Sequence, residues 1–161
     1  MWQELIEVLT KICAVYEDLG KIGERKRDAL ISVDMKGLAK ILDEEQLAAA
    51  KIQNLDKKRG SILLELSKNL KNVTPNTKAM ELYVKAPSVA LRSKLANLHG
   101  TLTKNVERAV MLRDNNQVLA QSALNAVKFH LNKLSRATVN PTYGKGGGES
   151  VVHEKKFDFK A

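Results

Sequence analysis

The sequence predicts an all-α protein: an antiparallel bundle or coiled coil of three long helices, with a short connector helix and a flexible C-terminal tail. Apolar residues recur at steps of three and four along three stretches, which keeps one stripe on one side of a helix. Aromatics make up only 4% of a chain that is 43% hydrophobic, so the core must be built from Leu, Ile, Val and Ala. Only 3 of the 161 residues are proline, as long helices require.

The first helix is expected over about residues 2–31, with the stripe Leu5, Leu9, Ile12, Tyr16 and Leu19. Gly20 and Gly23 lie inside it. Each costs about 1 kcal/mol against alanine, so a kink or frayed turn is expected there. Ser32-Val33-Asp34 is the break, and Asp34 suits the N-cap of the next helix, because its carboxylate can accept a free backbone N–H.

The second helix is expected over about 35–70, with Leu38, Ile41, Ala48, Ile52, Leu55, Ile62 and Leu66 on its stripe. Glu45 and Arg59 also fall on the stripe. The favoured reading places both at its edge, reaching to water. The alternative is cross-helix pairing, with Arg59 directed toward Glu4 or Glu7. A connector follows, with turn chemistry at Thr74-Pro75-Asn76. A short helix over about 77–84 carries Met80, Leu82, Tyr83 and Val84.

The third long helix is expected over about 88–137, opening at Pro87-Ser88. It would extend roughly 75 Å if straight. Its stripe runs Leu91, Leu95, Leu98, Leu102, Ala109, Leu112, Leu119, Ala123, Val127 and Leu134. Asn116 falls on it, where a buried Asn often sets register. His130 lies at its edge and reads as a packed side chain. The helical bundle is expected over 1–139. Residues 140–161 form the tail, with Gly146-Gly147-Gly148 as a linker and Phe157 and Phe159 beyond it.

Composition narrows the function. The single cysteine, Cys13, excludes an internal disulfide and points to a reducing compartment. No signal-peptide pattern opens the chain and no apolar run could span a bilayer, so a cytoplasmic protein is expected. The net charge of +9 is read as mixed with acids along every helix, as in Glu17-Asp18 near Lys21 or Asp56-Lys57-Lys58-Arg59, which suits a solvated face. His99, His130 and His153 have no metal-ligand spacing with Cys13 or a carboxylate. Glu44 and Glu45 are helix neighbours that point apart. The glycine run at 144–148 lacks the Gly-Lys-Ser/Thr ending of a phosphate loop. No enzyme, metal or cofactor is expected. What remains is the surface of long helices. Three rods of unequal length leave part of the longest stripe uncovered, from Leu119 to Leu134, as a groove for another helix.

Lys26, Leu30, Asp34, Leu38, Ile41 and Glu45 form a Lys-x3-Leu-x3-Asp-x3-Leu-x2-Ile-x3-Glu pattern. In order and spacing these residues resemble the FlgN family of flagellar export chaperones. Ile52, Leu55 and Arg59 continue it. Leu112, Asn116, Leu119 and Leu124 look like its Leu-Asn-x-x-Asn-x-x-Leu-Leu run, with Arg113 and Ala120 as departures, and Tyr143-Gly144 resembles its ending. The resemblance implies a cytoplasmic chaperone that binds the C-terminal helical region of hook–filament junction proteins. It would keep them unassembled and deliver them to the flagellar type III export gate. By that likeness Leu119, Ala123, Val127, Leu131 and Leu134 would bind the client, and Tyr143 would dock at the gate. A basic helical nucleic-acid binder and a self-assembling coiled coil are the alternatives, and the oligomeric state stays open.

Overall fold

The computed structural model describes residues 1–70, 73–74 and 77–137, the last two as backbone only. Four helices fill them: α1 (Trp2–Ser32), α2 (Met35–Asn69), α3 (Ala79–Tyr83) and α4 (Val89–Ala137). No strand occurs among the described residues. The expected tail at 140–161, with Tyr143, the glycine run and both tail phenylalanines, lies outside them, as do Pro75 and Asn76 of the connector turn. The chain divides into two units, residues 1–125 and residues from 126 onward.

In the first unit α1 and α2 form an antiparallel hairpin. Val33 takes a left-handed conformation (φ 56°), and the Asp34 N–H reaches back to the Ala29 carbonyl at 2.9 Å, closing the end of α1. A β-branched residue is strained there, because its Cβ crowds the backbone. The Asp34 carboxylate then accepts the Gly37 N–H at 3.0 Å, the cap expected from sequence. This turn sets the hairpin register, bringing Arg25 opposite Glu44 and Lys26 opposite Glu45.

The fourth helix runs parallel to α1. Cys13 meets Leu98 and Asn105, while Gly23 meets Leu112 and Asn116, so both partners advance together along the chain. The two glycines permit this approach. A Cβ on Gly23 would lie 3.0 Å from the Leu112 Cβ, and one on Gly20 would lie 3.5 Å from the Arg108 guanidinium. The helix passes unbroken through both, so the frayed turn that their weak helix propensity allowed does not form. Close packing against α4 accounts for their place in the helix.

One core cluster joins Leu5, Ile6 and Leu9 of α1, Leu66 of α2, Leu82 and Tyr83 of α3, Leu95 of α4, and Val73 and Ala86 from the segments flanking α3. Leu95 is 0% exposed, and the connector closes this end of the bundle. A smaller cluster of Ile22, Ala29 and Ile41 holds the hairpin near its turn.

Candidate helix-binding surface

The site begins with α4 and with where its burial stops. Ser88 opens the helix, its hydroxyl accepting the Leu91 N–H at 3.2 Å. Leu95 and Leu112 are buried, and Leu91, Leu98, Leu102 and Ala109 are half-buried. Asn116 is 2% exposed, and its amide donates to the Gly23 carbonyl at 2.8 Å, while its Oδ1 is buried with no partner among the described residues. Such a contact ties the register of α4 to α1, because a slip would strand a buried polar group. Cys13 faces the same seam. Its thiol donates to the Leu98 carbonyl at 3.6 Å, and burial pushes its pKa up, away from reactivity.

Leu119 is half-buried, and every residue from Ala120 to Ser135 is exposed. The α1–α4 offsets, carried to the last residue of α1, bring Ser32 level with α4 at residues 117–125. Burial in the first unit ends where its α1 partner ends.

The described part of the second unit is helical through Ala137. Its apolar side chains are open to solvent: Val127 at 55%, Phe129 at 65%, Leu131 at 54% and Leu134 at 64%. His130 is exposed too, with its ring edge-on to Phe129 at 5.7 Å, so the packed position expected for it is not the one it takes. Of the residues proposed from sequence for client binding, Leu119 is half-buried, whereas Ala123, Val127, Leu131 and Leu134 are exposed along α4. Tyr143 is outside the described residues.

Charged groups settle elsewhere. Arg25 grips Glu44 with two hydrogen bonds, 2.6 and 2.9 Å, and holds its carboxyl below the usual range. Glu45 meets Lys26 at 2.7 Å across the hairpin, both half-buried, so the edge position reaching to water is corrected to a cross-helix pair. Arg59 pairs with Asp56 of its own helix at 2.7 Å rather than with Glu4 or Glu7. Among the described residues no group of three His, Cys, Asp or Glu could hold a metal ion.

A family model described as FlgN protein matches residues 1–150. The chain belongs to the FlgN family. FlgN proteins are flagellar export chaperones. No curated protein and no solved structure matches the chain. Lys26 and Glu45, which carry part of the FlgN-like spacing, pair across the hairpin beside Arg25 and Glu44. No described helix is long and apolar enough to cross a membrane.

Proposed function

We propose that this FlgN chain acts in the cytoplasm, binding the C-terminal helical region of hook–filament junction proteins. It keeps them unassembled and hands them to the type III export gate, with no catalytic step of its own. The observation that carries the reading is the exposed run from Ala120 to Ser135, where the apolar spacing of α4 continues without cover. Leu119, Ala123, Val127, Leu131 and Leu134 would receive one face of the client helix, and Tyr143 would dock at the gate. Burying a Val or Leu side chain contributes about 1.5–3 kcal/mol before the costs of association. A few such contacts suffice for a complex that forms and later releases.

Calorimetry with a C-terminal peptide of a junction protein tests this. Val127→Asp should weaken capture at least about tenfold, since one buried apolar contact is lost and a charge is placed at the interface. The thermal midpoint should stay unchanged, because Val127 is exposed. Equal affinity for the variant would remove α4 as the site.

A further inference from the structure

Resting on the reading that α4 captures a helix, we infer that its segment from Ala126 selects a partner helix whose apolar stripe is edged with carboxylates. Between Asp114 and Glu149 the sequence has no acidic residue, yet it carries Lys128, Lys133, Arg136 and Lys145. Lys21, Arg25, Lys26 and Arg108 all have carboxylate partners, and no ion pair between described residues lies beyond Asp114.

Geometry aims the unmatched charge. At about 100° per residue, Val127, Leu131 and Leu134 share one stripe. Lys128 and Lys133 lie on opposite sides of it, roughly 95° and 125° from its midline, and both are exposed. Their long stems let the ammonium groups reach back toward the rim, where charges beside a helix pair choose a partner. A second copy of this segment would set lysine against lysine, which disfavours self-pairing. An anionic lipid surface calls for a cluster of about four to eight basic residues. Here the helix beyond Asp114 carries three, Lys128, Lys133 and Arg136, and Phe129 points nearly opposite to the stripe. A helix with glutamate or aspartate along its edges fits both the stripe and the lysines.

The test uses the full chain and three synthetic amphipathic peptides of roughly 20 residues, long enough to hold helix on binding. They share a leucine stripe and differ at its edges, which carry Glu, Gln or Lys. Calorimetry should show the Glu peptide binding about 5–10-fold tighter than the Gln peptide, with the advantage lost near 1 M salt. The double variant Lys128→Glu, Lys133→Glu should prefer the Lys peptide, with an unchanged melting curve. Equal binding of Glu and Gln peptides overturns the selection by charge and leaves helix capture standing. Binding of none of the three overturns capture as well. Sedimentation with phosphatidylglycerol vesicles in place of peptide binding would assign the surface to lipid and overturn both.

Discussion

Gly20 and Gly23 lie three residues apart on one helix, yet alanine should act on them in opposite directions. Either substitution gains about 1 kcal/mol of helix propensity. At Gly20 the new Cβ meets only the flexible Arg108 guanidinium, at 3.5 Å, so the gain survives. At Gly23 it would lie 3.0 Å from the Leu112 Cβ and 3.3 Å from its Cδ1. A Cβ cannot swing away, so α4 must retreat. Overpacking of this kind costs about 1–3 kcal/mol. The retreat also stretches the 2.8 Å bond from Asn116 to the Gly23 carbonyl, worth about 1 kcal/mol. Gly20→Ala should therefore stabilise by about 0.5–1 kcal/mol, and Gly23→Ala should destabilise by about 1–3 kcal/mol. Urea unfolding followed by far-UV circular dichroism measures both. Gly60→Ala and Gly100→Ala, with no atom within 4 Å of the added Cβ, calibrate the propensity gain alone. Shifts of the same sign at Gly20 and Gly23 would refute the close approach of α1 and α4.

Three further outcomes follow from the same geometry. Val33→Gly should stabilise by about 0.5–1 kcal/mol in thermal melts, since relief of the left-handed strain exceeds the added freedom of the unfolded chain; a loss would show that Val33 is not strained. Asn116→Ala should lower stability by about 1–2 kcal/mol in urea, because the buried bond to Gly23 disappears; an unchanged midpoint would remove its part in register. The Glu44 carboxyl has its pKa depressed by the hydrogen bond and charge of Arg25, so its contribution is present above the usual value of 4.5 and is lost as pH falls through the folded value. The gap in urea midpoint between the wild type and Arg25→Ala should accordingly close under acid, and a gap constant with pH would sink that assignment.

The helices were legible because three-four spacing and caps act locally. Asp34 announced α2, and Ser88 announced α4, each through a side chain that serves an N–H three residues away. Relations between helices were not legible in the same way. The glycines read as weak points because propensity carries no information about the neighbour they admit. Glu45 read as an edge residue because its partnership with Lys26 depends on the hairpin register, which the turn at Val33 sets. In the connector, Leu82 and Tyr83 are buried while Met80 and Val84 are exposed, a division made by the helices around it. Periodicity treats Leu95 and Leu131 alike, although one is buried and the other open. Spacing tells which way a side chain faces, and only the fold tells whether anything covers it.

The parallel course of α1 and α4 has a consequence for biogenesis. The hairpin closes through partners 19 residues apart, whereas α1 and α4 meet through partners 84–93 apart. Short loops close first. At about 5–20 residues per second, the groove around Gly23 stays bare for roughly 5–20 s on the ribosome before Asn116 is made. During that interval the nascent chain displays an unfilled helical seat of its own.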